Sequence, residues 1–209
     1  MTIHLENIGR RYNKEWIFKH INVDFSCGNS YAILGPNGSG KSTLIKVISG
    51  HLSASEGQIQ YKLNERILDI EQVYTEVSIA APYVDLIEEF SLEEMIDFHF
   101  KFKSYFSGYD SAKIIQYLDL GKSLNKELKY FSSGMKQRVK LALACFSDTK
   151  ILLLDEPTSN LDEQGVLWYK NLIDKTIHQN RILIVGSNQL HEYEFCDTQI
   201  QIQNYKLDL

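Results

Sequence analysis

The 209-residue chain is 44% hydrophobic and 23% charged, the balance of a globular protein with one or two cores rather than a disordered or fibrous one. Its net charge of −5 argues against a broad basic field of the kind that draws nucleic acid or an anionic membrane surface. The three cysteines (Cys27, Cys145 and Cys196) are an odd count without C-x-x-C spacing, which predicts reduced thiols in a cytosolic setting rather than a disulfide frame or a zinc cluster. In chain order, residues 1–6 read as a strand rather than a signal peptide, and no later apolar run approaches the ~18 residues of a membrane span. Residues 3–8, 21–25 and 31–34 are predicted strands separated by polar or glycine-containing turns.

The third of these strands runs into Gly35-Pro36-Asn37-Gly38-Ser39-Gly40-Lys41-Ser42, and a helix is predicted over residues 41–49, stopped by Gly50. Strand, glycine-rich loop and helix in the spacing G-x-x-x-x-G-K-[ST] form the phosphate-binding P-loop pattern. Glycines let backbone N–H groups close around a polyphosphate, and the N-terminus of the helix that begins at Lys41-Ser42-Thr43 adds a favourable dipole. Lys41 reaches the β- and γ-phosphates, and the Ser42 hydroxyl suits Mg²⁺. The loop therefore predicts a nucleoside-triphosphate site.

Residues 57–61 and 77–80 read as further strands, after which Pro82 breaks the pattern. From 82 to about 146 the apolar residues recur at helical spacing (Leu92, Met95, Ile96, His99, Phe100; Ile114, Ile115, Leu118), as in a small helical lobe inserted into the core. Its acids Asp85, Glu88, Glu89, Glu93, Glu94 and Asp97 read either as a solvated helix face or as a docking groove for a basic helix. Phe98, Phe100, Phe102, Tyr105 and Phe106 are expected to be the lobe's own core. Residues 151–154 form a short apolar run, the mark of a buried parallel strand, and end in Asp155-Glu156. That places two carboxylates at the strand's C-terminal edge, where open α/β sheets hold their ligands: the first suits a metal, the second an attacking water. A helix over 163–179 and a strand over 182–185 complete the core.

Asp155-Glu156-Pro157-Thr158-Ser159-Asn160-Leu161-Asp162 resembles the metal-binding strand, catalytic glutamate and D-loop of ABC-type ATPase subunits. Tyr130-Phe131-Ser132-Ser133-Gly134-Met135-Lys136-Gln137-Arg138-Val139 resembles their signature motif, and the stretch from Leu5 to Tyr12 their adenine-stacking segment. The resemblance covers essentially the whole chain, and the compact type related to haem-export subunits is similar in length. It implies an α/β P-loop (RecA-like) core with an N-terminal antiparallel β region and an inserted helical subdomain. The domain plan would be a single domain over 1–209, with core 1–81 and 147–209 and the lobe between. It implies ATP and Mg²⁺ as ligands, Tyr12 against adenine, Ser42 and Asp155 on the metal, and Glu156 orienting water. It also implies that Ser132, Ser133 and Gly134 reach the γ-phosphate from a second ATPase subunit, as in a homodimer. An integral membrane subunit would hold the assembly on the cytoplasmic face, with no insertion of this chain itself and no nucleic acid partner. A soluble ATP-dependent switch, or a weakly active subunit needing a competent partner, is the alternative.

The chain departs from the family pattern at three places. Where a glutamine normally follows the strand at 77–80, Pro82 or Tyr83 stands, and neither reproduces an amide ligand. Where a histidine normally meets the γ-phosphate, Asn188 stands, with Ser187 the second choice; it hydrogen-bonds but carries no charge near neutral pH. His191, about one helical turn on, is expected to face solvent. Ser133 and Met135 replace the common glycine and glutamine of the signature. These changes predict ATP binding, with turnover that is either slow or dependent on a partner to complete the site.

Overall fold

Alternation of apolar and polar residues makes the N-terminal segment a hairpin. β1 (Thr2–Tyr12) and β2 (Glu15–Ser26) pair antiparallel and bury Ile3, Leu5, Ile8, Phe18, Ile21 and Phe25. The computed structural model describes residues 1–206; residues 207–209 of the expected domain lie outside the described residues. β3 (Ser30–Leu34) is buried throughout and leads through the glycine-rich loop into α1 (Lys41–Ile48). β4 (Glu56–Leu63), β5 (Arg66–Leu68) and α2 (Ile70–Glu76) follow, and β6 (Val77–Ala80) returns to the core. The helical part holds α3 (Leu92–His99), α4 (Ser111–Leu118) and α5 (Ser133–Cys145). Next come β7 (Ile151–Asp155), α6 (Glu163–Thr176), β8 (Ile182–Ser187), α7 (Leu190–Tyr193) and β9 (Thr198–Gln201).

Two sheets result: an antiparallel one in the order β2-β1-β4-β5 and a parallel one in the order β6-β7-β8-β3-β9. The central strands of the parallel sheet are buried on both faces, which is why residues 151–154 of β7 and 182–185 of β8 read as unbroken apolar runs, whereas the edge strand β9 is mostly exposed. Ile151, Leu153, Ile182 and Ile184 pack with α1 and the antiparallel sheet. Leu152, Leu154, Leu183 and Val185 pack with α3, α4, α5 and α6. The register sets Leu34 beside Ser187 and Asp155 beside Gly186, so β3, β7 and β8 end along one edge. The ligand-binding loops leave from that edge.

The predicted elements are present, with different limits. β1 continues past residue 8 to Tyr12 through register shifts, and β2 starts six residues before the predicted strand. α6 stops at Thr176, three residues short of its predicted end, because Ile177 turns extended. β5, α2 and β9 are unpredicted. Of the aromatic cluster, Phe100 and Tyr105 stack in the lobe, but Phe102 is 67% exposed and packs only its edge against Phe98. Several of the acids have local partners: Glu94 closes a capping box with Ser91, and Glu88 pairs with Lys136 at the start of α5.

Candidate functional site

The loop between β3 and α1 is built as a cradle. Gly40 caps α1 at φ +109°, a conformation costly for any side chain, and a Cβ there would sit 2.6 Å from Ile17. Asn37, Gly38, Ser39, Gly40, Lys41, Ser42 and Thr43 line a depression of about 170 Å³ with Ile17 and Glu156. Lys41 is almost wholly buried, and its Nζ donates to the carbonyls of Gly35 (2.8 Å) and Pro36 (3.3 Å). Its ammonium is therefore held inside the loop's curve, where an anion would replace those carbonyls. Ile17, on β2, was not singled out in the sequence; its only signal there is strand alternation.

Two carboxylates close the other side. Asp155, the last residue of β7, is fully buried, and neither of its oxygens has a well-formed hydrogen bond. Burial pushes its carboxyl up to about 6; the Ser42 hydroxyl and the Lys41 and Lys46 charges oppose the rise, and the Glu156 charge adds to it. Orphaned buried oxygens beside a serine hydroxyl are a donor set that suits a hard divalent cation. Glu156 is half-buried at φ +47°, a left-handed conformation that costs a non-glycine residue about 1–2 kcal/mol. Its N–H donates to the Gly186 carbonyl of β8 (2.9 Å), which holds the turn. That turn swings the Glu156 side chain away from the strand and into the loop's depression.

Asn188 stands at the same edge, its Nδ2 donating to Asn37 Oδ1 of the loop at 3.1 Å. Ser187 instead turns inward and is fully buried, its hydroxyl donating to Glu192. Glu192 is also fully buried and accepts from the Thr158 N–H (2.7 Å) and the Thr158 hydroxyl (2.5 Å). This carboxylate ties the segment after β7 to the end of β8, a role the sequence did not reveal because Glu192 reads there as one more surface acid. His191 does not face solvent as expected: it is half-buried, with Nε2 3.0 Å from the Thr158 hydroxyl. One turn of α7 brings it back over that segment. Tyr83, not Pro82, turns inward at this edge; Pro82 is exposed, whereas the Tyr83 hydroxyl is buried without a partner.

The signature residues lie elsewhere. Ser132 caps α5, its hydroxyl accepting from the Met135 N–H (3.2 Å), as its position before the helix predicts. A Cβ on Gly134 would sit 2.9 Å from the Asn160 carbonyl, so the helix start and the D-loop touch backbone to backbone. Ser132, Ser133, Gly134, Met135 and Arg138 line a cleft of about 310 Å³ with Asn160 and Asp162. Asp162 caps α6 through the Gly165 N–H (2.8 Å), and the buried Gln137 donates to the Pro157 carbonyl (2.7 Å). This cleft shares no residue with the P-loop depression. Tyr12 is outside both: it is 46% exposed, with the Arg10 guanidinium over one face of its ring.

A parallel sheet that feeds a P-loop and ends beside it in two acids defines a P-loop nucleoside triphosphatase. The sequence profile of the ABC transporter family matches residues 18–159. The Streptococcus pyogenes lantibiotic transport ATP-binding protein SrtF is 29% identical over 196 residues, 91% of this chain and 81% of that protein. Two solved structures are alike in fold. A Pyrococcus furiosus protein described as an ABC transporter (ATP-binding protein) is 24% identical, with a TM-score of 0.81 over 99% of this chain and 100% of the other. A dimeric bacterial ABC transporter cassette is 22% identical, with a TM-score of 0.78 over 96% and 95%. The chain belongs to the ABC transporter family and is one of its ATP-binding, ATP-hydrolysing subunits.

Proposed function

We propose that two copies of this chain close around two ATP molecules and that the closure drives a separate integral membrane subunit. The observation that carries this reading is the separation of the two clefts: the signature residues and the P-loop residues line depressions that share no residue, which leaves the signature cleft of a second copy to face the first copy's P-loop. A solved ABC transporter cassette of the same fold is described as dimeric, which supports a pair of copies. Lys41 and the loop amides bind the phosphates, and Tyr12 offers its free face to adenine, a stack worth roughly 1–3 kcal/mol. Ser42 and Asp155 hold Mg²⁺, which when bound offsets charge developing on the phosphates. Glu156 orients the attacking water and takes its proton; Asn188 donates to the γ-phosphate. Ser132, Ser133 and Gly134 of the second copy present the N-terminus of α5 to the same phosphate. In this reading the core 1–81 and 147–209 holds the P-loop, the metal-binding acid and the catalytic glutamate, and the helical part 82–146 supplies the signature residues and meets the membrane subunit at the cytoplasmic face. No described helix is long and apolar enough to cross a membrane. With a neutral amide at Asn188, turnover in isolation is slow.

The test is Mg²⁺-dependent ATP hydrolysis by wild type and Glu156→Gln, with the mass of each followed by light scattering. Loss of the general base is expected to lower the rate about 10²–10⁴-fold. Glu156→Gln is also expected to trap a dimer that forms only with ATP. A Glu156→Gln protein as fast as wild type would refute the assignment.

A further inference from the structure

Tyr83 has no part in the chemistry above, and its surroundings are peculiar for a tyrosine. β6 runs beside β7 with Ala80 paired to Leu154, so the chain leaving β6 crosses the sheet edge where Asp155 ends β7. There the Tyr83 ring lies under the Lys46 ammonium of α1, 3.9 Å from the ring centroid. Its hydroxyl is sealed from solvent and has no hydrogen-bond partner, as have both Asp155 oxygens. A tyrosine hydroxyl can both donate and accept a hydrogen bond. A buried hydroxyl left without a partner is destabilising. One orphan hydroxyl beside two orphan carboxylate oxygens, all at one strand edge, points to a shared occupant that satisfies all three.

We propose that Tyr83 is a positioning residue of the cation site: its hydroxyl hydrogen-bonds a water in the coordination shell of the Mg²⁺ held by Asp155 and Ser42. This rests on the reading of Asp155 and Ser42 as that site. Tyr83 then occupies the functional place of the absent glutamine through a different group on a longer arm. Lys46 fixes the arm by its contact with the ring, and its charge also acts on Asp155. Partners of metal ligands and metal-bound waters characteristically set metal affinity, and their loss costs 10–100-fold.

The experiment uses the whole protein with a non-hydrolysable ATP analogue and Mn²⁺ as the probe, free Mn²⁺ being counted by electron paramagnetic resonance. Tyr83→Phe removes the hydroxyl and keeps the ring under Lys46. It is expected to weaken Mn²⁺ binding about 10-fold. Nucleotide affinity in EDTA should stay within about two-fold, and thermal stability should be unchanged or raised, since an orphan hydroxyl is gone. Tyr83→Gln recovers part of the Mn²⁺ affinity. Wild-type Mn²⁺ affinity in Tyr83→Phe overturns the proposal, and so does an equal loss of nucleotide affinity in EDTA. Asp155→Asn separates the two levels of the argument. If it loses Mn²⁺ while Tyr83→Phe does not, only the role of Tyr83 fails; if it also keeps Mn²⁺, the cation reading of the site fails.

Discussion

Asp155 shows what a functional residue does to the stability of the chain that carries it. Its folded-state carboxyl is raised to about 6 by burial, above the ordinary 3.8. The folded protein therefore binds the proton more tightly than the unfolded one. The stability linked to that proton is present below about 3.8 and is lost as pH rises through 6. At pH 7.5 without a cation, the charged, fully buried group costs of order 2–3 kcal/mol. Asp155→Asn removes the charge and nearly preserves the shape, so in EDTA at pH 7.5 it is expected to melt about 5 °C higher than wild type. The gain should vanish near pH 4, where the wild-type carboxyl is itself neutral. Differential scanning calorimetry at the two pH values measures it, and an Asp155→Asn protein no more stable than wild type at pH 7.5 would show that the carboxylate has compensation in the folded state. Destabilising charge kept at a ligand site is a common form of the trade between function and stability.

At the scale of elements, α3 carries a second titration that has no bearing on the nucleotide. His99, near its end, is packed so that Nε2 lies 2.9 Å from the Ser147 hydroxyl after α5. Burial lowers its pKa to about 4, the Lys103 charge lowers it further, and a hydrogen bond to the Leu143 carbonyl opposes. A histidine depressed from 6.5 to about 4 contributes stability that is complete above 6.5 and is lost as pH falls from 6.5 to 4. The loss is at most about 3 kcal/mol. His99→Gln should flatten the urea midpoint between pH 7 and 4.5, and an unchanged slope would place the acid sensitivity elsewhere. How legible an element was depended on whether local pattern alone decided it. β7 was plain, because four buried residues, Ile151 to Leu154, give an unbroken apolar run, and α1 followed from the loop that starts it. β5 and β9 are three and four residues long and mostly exposed, with no alternation to detect. The bulges in β1 break its period of two after Leu5. In the site, Gly35 to Thr43, Asp155 and Glu156 were legible because their spacing is itself the chemistry. Tyr83, Lys46, Glu192 and His191 were not, since each acts through a tertiary neighbour far away in sequence.

Across the whole molecule, the two clefts put the decisive question to the assembly rather than to any residue. The P-loop depression and the signature cleft share no lining residue, and in the proposed dimer each supplies one side of a γ-phosphate site. A two-fold dimer satisfies both at once, because an isologous pairing that brings one copy's α5 to the other's P-loop does so twice. The arrangement makes complementation the discriminating measurement. Lys41→Ala disables a P-loop and leaves that copy's signature intact. Gly134→Val disables a signature, since its Cβ alone would sit 2.9 Å from the Asn160 carbonyl, and leaves the P-loop intact. Each variant alone should be inactive. In a mixed dimer, one site combines both defects and the other combines neither. An equal mixture forms mixed dimers half the time, each with one competent site, so about a quarter of wild-type ATPase activity should return if the sites work independently. A nucleotide site contained in one chain would return none. Recovery on mixing would also bind the chain's ATP hydrolysis to its assembly, because hydrolysis would then require the closed pair, which in the proposed cycle is the state that pushes on a membrane partner.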